Sequence, residues 1–170
     1  LTELGDQGDY RGLSASVLVP GQGIWTGAYG LAAPGVPMET NMRLGIASNS
    51  KAITAGLLLT LQDEGLLDVD DPILLYLPDY PQVDGNIPIR ALLNHSTGLF
   101  DFINDWSGAT QTAYGDDDDR VWSLTDLMAT LGMPYFSVGE QFDYSNTNFL
   151  VAGLDGQAGG GATLGQMYHE

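Results

Sequence analysis

Arg43-Leu-Gly-Ile-Ala-Ser-Asn-Ser-Lys51 runs directly into Ala-Ile-Thr-Ala-Gly-Leu-Leu-Leu-Thr-Leu-Gln-Asp-Glu-Gly65. Ala52, Ala55, Leu58, Leu59 and Gln62 recur at helical spacing, and Gly65 is a natural stop. The pattern predicts a helix from about Ser48 to Glu64, entered from a short extended stretch over Arg43 to Ala47. Ser48 and Lys51 are three residues apart, so their side chains share one helix face. A serine hydroxyl is a poor nucleophile until a neighbouring base takes its proton. A lysine amine can take it when neutral, the form that burial and the positive end of a helix both favour. The helix N-terminus also supplies unpaired N–H groups suited to a developing oxyanion. The plain alternative is an N-cap serine followed by a surface lysine, and S-x-x-K alone is a weak pattern. That alternative meets a difficulty: the first turn of a helix favours an acid, and position 51 carries a cation. Lys51 is also the only lysine in the chain; the other cations are Arg11, Arg43, Arg90 and Arg120.

Upstream of this stretch, Leu13 to Val19 reads as a strand, Pro20-Gly21-Gln22-Gly23 as a turn and Ile24 to Gly30 as the returning strand. Gly30 to Thr40, with its Gly and Pro residues, reads as a loop. Downstream, Asp70-Asp71-Pro72 predicts a capped short helix through Tyr76 with Pro72 at its first position. Pro88 predicts another, over Ile89 to Asn94, closed by the turn at Thr97-Gly98. Phe100 to Arg120 has no clear period and reads as a long loop. Ser123-Leu-Thr-Asp126 has the form of a capping box and leads a helix to Leu131. Asn146 to about Gln157 is predicted helical, and Gly159-Gly160-Gly161 separates it from a last helix beginning near Thr163. Two strands followed mostly by helix give an α+β class: N-terminal antiparallel strands of a sheet, then a helical region.

The bulk composition sets limits. A chain of 170 residues with 44% hydrophobic residues can bury a sizeable core in one domain. A net charge of −17, from 22 acidic and five basic residues, argues against nucleic acid or an anionic membrane as partner. No apolar run reaches the roughly 20 residues of a membrane span. The start Leu-Thr-Glu-Leu-Gly-Asp has neither the basic start nor the apolar run of a signal peptide, and the missing Met points to a processed or trimmed sequence. With no cysteine, disulfides, thiolate metal sites and Cys nucleophiles are excluded.

A second element precedes the later helix: Gln141-Phe142-Asp143-Tyr144-Ser145-Asn146. In an extended segment, residues two apart face the same way, so Tyr144 and Asn146 can enter one cleft. A phenol beside an ammonium is a competent proton shuttle, and an Asn amide can hold a lysine or a substrate carbonyl. Taken alone, a core tyrosine and a helix-capping asparagine explain the same residues.

Together these elements resemble the serine β-lactamase-like family, which includes class C β-lactamases, D-Ala-D-Ala carboxypeptidases and related esterases. The resemblance rests on Arg43 to Lys51, on Leu-Leu-Asp-Val-Asp-Asp-Pro ending at Pro72, and on Leu92-Leu-Asn-His-Ser-Thr-Gly-Leu99. It also rests on Gly139-Glu-Gln-Phe-Asp-Tyr-Ser-Asn146, whose Tyr-x-Asn matches the family's second motif, and on the opening strands to Gly30. It covers nearly the whole chain in order. It implies a β-lactamase/transpeptidase-like fold, a single domain over residues 1–170 with strands in 1–47 and helices in 48–170, and a secreted or periplasmic setting. It implies a covalent two-step reaction on a β-lactam, D-Ala-D-Ala peptide or ester: Ser48 attacks, Lys51 and Tyr144 share proton transfer, and Asn146 orients Lys51 and substrate. No cofactor or metal is implied. The family's third motif, Lys-Thr-Gly or His-x-Gly on a late strand, has no match here. The chain therefore resembles the N-terminal part of such an enzyme, with the remaining wall expected from a further segment or a second chain. A non-catalytic fragment or binding module that keeps the fold is the alternative.

Other residues carry weaker signals. His95 invites a base role but sits in the family's structural turn, where a hydrogen-bonded histidine is the better reading; His169 lies near the chain's end. Asp116 to Asp119 lacks the spacing of a calcium loop and reads as a solvated acidic loop. Trp106, Tyr114 and Trp122 fit a cleft lining and loop packing equally well. Asn94-His95-Ser96 matches a glycosylation sequon incidentally.

Overall fold

The computed structural model describes residues 1–8, 10–104 and 122–169. Asp116 to Asp119, Trp106 and Tyr114 lie outside the described residues. The chain divides into two compact units, Leu1–Ile46 and Ala47–Glu170.

The first unit holds a short helix α1 (Thr2–Gln7) and an antiparallel three-stranded sheet in the order β1-β2-β3. β1 (Gly12–Val19) and β2 (Gly23–Ala33) pair from Gly12 opposite Gly30 to Val19 opposite Gly23, the hairpin expected around Pro20 to Gly23. The segment expected to be a loop after Gly30 instead continues β2 to Ala33 and turns into β3 (Val36–Pro37). Leu31 pairs with Pro37 and Ala33 with Val36. Pro37 is accommodated because β3 is an edge strand, where a missing N–H costs the sheet nothing.

The second unit is helical among its described residues. Its longer helices are α2 (Asn49–Asp63) and α5 (Asn146–Gly160); the shorter ones are α3 (Ile89–Leu93), α4 (Leu124–Ala129) and α6 (Leu164–Met167). α5 packs against α2, α3 and α6. The core forms where these helices meet: Leu58 and Leu61 of α2, Ile89 and Leu92 of α3, and Val151 and Ala152 of α5 are all buried. Each such Leu, Ile or Val side chain contributes about 1.5–3 kcal/mol by leaving water, which is why the apolar stripe of α2 faces inward. α2 ends as its sequence predicts: Gly65 N–H donates to Gln62 O at 2.9 Å and Leu66 N–H to Leu61 O at 2.9 Å, the paired bonds of a Schellman stop. α4 begins with the predicted capping box, Ser123 Oγ accepting from Asp126 N–H at 3.1 Å.

Two further expectations are corrected. Pro72 does not occupy a first helical position, whereas Pro88 immediately precedes the helix expected from Ile89. Both are extended (ψ 140° and 142°), immediately before a single 3₁₀ turn, Ile73–Leu75, and before α3. They pair in an isolated antiparallel bridge, and the flanking N–H of Ile73 donates to Ile87 O while that of Ile89 donates to Asp71 O. A proline has no N–H to lose, so this bridge draws its bonds from the neighbours. The glycine run after Gln157 does not break α5 where expected. The helix continues through Gly160 and ends at Gly161, which adopts the left-handed conformation. A Cβ at Gly159 would lie 3.1 Å from Leu67, and one at Gly160 would lie 2.5 Å from the Met167 sulfur. The two glycines therefore let α5 pack closely, and tertiary packing overrides their poor helix propensity.

The turn at Gly98 needs its glycine most. Its φ is +73°, and a Cβ there would overlap the carbonyl oxygen of Phe136. Gly98→Ala should therefore lower stability by about 2 kcal/mol, measured as the shift of the urea midpoint.

Candidate functional site

The start of α2 is shaped before any partner arrives. Ala47 is held at φ +45°, a conformation that residues other than glycine rarely adopt. Ser48 follows with helical dihedrals (φ −67°, ψ −7°), and its hydroxyl makes no capping bond. An N-capping serine is normally extended and bonds the backbone ahead of it. Ser48 does neither, so its Oγ is left for other partners.

Those partners come from the same helix and from the segment leading into α5. Lys51 Nζ donates to Ser48 Oγ at 3.3 Å and to Asn146 Oδ1 at 2.8 Å. Tyr144 OH donates to Ser48 Oγ at 2.9 Å. The lysine nitrogen also lies 5.1 Å from the centre of the Tyr144 ring. Ser48, Lys51, Tyr144 and Asn146 thus form one connected cluster. Tyr144 is 39% exposed, so it is not a core residue. Asn146 is the first residue of α5 and does not cap it, since Ser145 holds the cap position. The plain alternatives for both residues fail on these points. Lys51 beside the phenol, and then the bond to Ser48, hold Tyr144 below the usual tyrosine range; its slight burial works the other way.

His95 sits behind this cluster. Its backbone is in the left-handed region (φ +59°) and its side chain is buried. Nδ1 accepts from Ser145 N–H at 3.3 Å and lies 3.1 Å from Asn148 Nδ2. Burial, and then the charge of Lys51, push His95 below its ordinary value, in line with Nδ1 accepting from Ser145 N–H. The ring stacks on Tyr144 with centroids 4.5 Å apart. His95 is therefore a hydrogen-bonded turn residue that supports the tyrosine ring.

Sequence reasoning missed Asp101. This carboxylate is buried, and both of its oxygens accept from Asn146 Nδ2 at 3.1 Å. A carboxylate only accepts and a charged lysine only donates, so between Asp101 and the Lys51 ammonium the Asn146 amide has one orientation. The only sequence signal was an acid three residues after Gly98, in a chain with 22 acids. A groove of about 740 Å³, lined in part by Leu74, Leu77, Tyr80 and Met133, contains none of the four cluster residues. Chemistry rather than groove size marks this site. Among the described residues, no helix is long and apolar enough to cross a membrane.

The Beta-lactamase family model matches residues 1–168. D-aminopeptidase of Cereibacter sphaeroides is 32% identical over 164 residues, which cover 92% of this chain and 30% of that protein. A D-stereospecific amidohydrolase from Streptomyces sp. superposes with a TM-score of 0.79 at 30% identity, covering 94% of this chain and 47% of that one. A class C β-lactamase shares the fold, with a TM-score of 0.73 at 23% identity over 95% of this chain and 42% of that one. The chain spans less than half the length of these proteins and corresponds to the N-terminal part of the family.

Proposed function

The chain belongs to the β-lactamase family, and from that premise we propose that it is the nucleophile-bearing part of a serine hydrolase working through an acyl-enzyme on Ser48. The observation that supports this best is Lys51, bonded at once to Ser48 Oγ and to Asn146 Oδ1. A lysine held in this way, with a phenol on the other side of the serine, has the arrangement of an activated nucleophile: hydroxyl, base and orienting group in sequence.

The proposed reaction has two displacements. Ser48 Oγ bonds to the substrate carbonyl carbon as its proton passes to Lys51 or Tyr144. That proton then goes to the leaving nitrogen or oxygen, the carbonyl bond to the leaving group breaks, and an ester on Ser48 remains. Water attacks this ester, giving its proton to the same pair, and the acid is released with Ser48 restored. The N–H of Ser48 is one donor for the oxyanion formed at each stage. The depressed phenol of Tyr144 suits it to carry a proton both ways, because proton transfer works best when the group's pKa is near the working pH.

The substrate reading is an amide of a D-amino acid. It is supported by the names of two relatives at about this identity, a D-aminopeptidase and a D-stereospecific amidohydrolase. A fluorophosphonate should add one phosphonyl group to the native gene product, located to Ser48 by peptide mass spectrometry. D-alanine p-nitroanilide should be cleaved faster than its L-isomer. No adduct on Ser48 would overturn the acyl-enzyme reading and leave a non-catalytic member of the fold. Equal rates on the two isomers would overturn only the substrate.

A further inference from the structure

We infer that Asp101 is a positioning residue of the Ser48 site, fixing the Asn146 amide so that its oxygen, not its nitrogen, meets Lys51. This rests on the acyl-enzyme reading above.

Asp101 lies in the turn after Leu99 and is 5% exposed. Both of its oxygens are held from within its own loop. Oδ1 accepts from Ile103 N–H at 3.0 Å and from Asn104 N–H at 3.4 Å, and Oδ2 accepts from Asn104 Nδ2 at 2.7 Å. These bonds fix the carboxylate from its own loop, and its remaining acceptor capacity points at Asn146 Nδ2. The loop is in turn stitched to the start of α5. Phe100 O accepts from Thr147 Oγ1 at 2.5 Å and from Ser145 Oγ at 3.3 Å, and Phe102 N–H donates to Thr147 Oγ1 at 3.4 Å. The residues on both sides of Asn146 are thus anchored to those on both sides of Asp101.

An amide can flip, because its two ends have nearly the same shape. Facing Lys51, the two ends are opposite in effect: the oxygen accepts from the amine, while the nitrogen offers a second donor to a group that cannot accept when charged. Asp101 removes the choice. A neutral Asn at 101 would restore it, since either end of one amide can pair with either end of another. The carboxylate also opposes ionisation of Tyr144, although more weakly than Lys51 and Ser48 favour it. Loss of that charge should make the phenolate easier to form.

The test uses the native gene product, with fluorophosphonate labelling of Ser48 as the rate readout. Asp101→Asn should label about 10- to 100-fold more slowly than wild type, the usual scale for losing a group that orients a functional side chain. The acidic limb of its rate–pH profile should move to lower pH. Ile89→Ala opens a cavity in the buried core without removing any bond to Asp101 or Asn146. It should lower Tm yet keep the wild-type labelling rate and pH profile. Equal rate losses in the two variants with an unmoved profile would overturn the inference, as would an Asp101→Asn protein that does not fold. Either result would make Asp101 a structural residue only. If wild type itself does not label, the acyl-enzyme reading fails instead.

Discussion

Lys51→Met should slow acylation of Ser48 by about 10²–10⁴-fold, the range expected when a positioned general base is removed. Methionine has a similar length and no charge, so the start of α2 should keep its shape. Lys51→Arg separates two roles. Arginine keeps the cation but does not give up its proton under any working condition. If Lys51 takes the serine proton, Arg should be as slow as Met. If Lys51 serves only as a fixed positive charge beside Ser48, Arg should recover much of the rate. Labelling kinetics with a fluorophosphonate on the native gene product, beside Tm for each variant, read both outcomes. Wild-type rates in Lys51→Met would remove Lys51 from the mechanism.

The second large effect concerns Asp155, in the interior of α5. It is wholly buried, and among the described residues neither carboxylate oxygen has a hydrogen-bond partner. Burial pushes its pKa up to about 8, from an ordinary value of 3.8. The sign of the consequence follows directly. Between the two values the folded protein holds a proton that the unfolded chain releases, so stability falls as pH rises. Below the unfolded value both states are protonated and the cost is absent; above the folded value both are ionised and the cost is complete. The slope is at most about 1.4 kcal/mol per pH unit, and the accumulated penalty at pH 7 is roughly 4 kcal/mol. Asp155→Asn preserves the shape and does not titrate. From pH 5 to pH 8, wild type should lose about 10 °C of Tm relative to this variant. Calorimetry across that range decides it: parallel Tm profiles would mean that Asp155 finds a partner in solution.

The two halves of the site were legible to different degrees. Ser48 and Lys51 could be paired by spacing alone, because a helix brings residues three apart together. Tyr144 and Asn146 could be paired with each other by the alternation of an extended segment. No local rule joins the two pairs, since Tyr144 and Ser48 are 96 residues apart in sequence. Only the resemblance of the whole chain to a family supplied that link. Asp101 stayed hidden because its role depends on a loop conformation, and a loop acid in an acidic chain looks like a solvated one. Asp155 was hidden for the opposite reason. It lies one helical turn beyond Val151 on the buried stripe of α5, where periodicity expects an apolar residue. The glycines at 159 and 160 read as a break because propensity is local, whereas their close contacts with Leu67 and Met167 are not.

α5 carries at its first residue the amide that holds Lys51 and, about 13 Å further along its axis, the unpartnered carboxyl of Asp155. The tether of the proposed base is thus built on an element that loses stability as pH rises. A fall in turnover above neutrality would then have two sources, ionisation among the reacting groups and loosening of the beam that aligns them. In Asp155→Asn the second source is gone, and whatever alkaline decline remains belongs to the chemistry. The pH range of turnover would then carry a contribution from the scaffold as well as from the nucleophile.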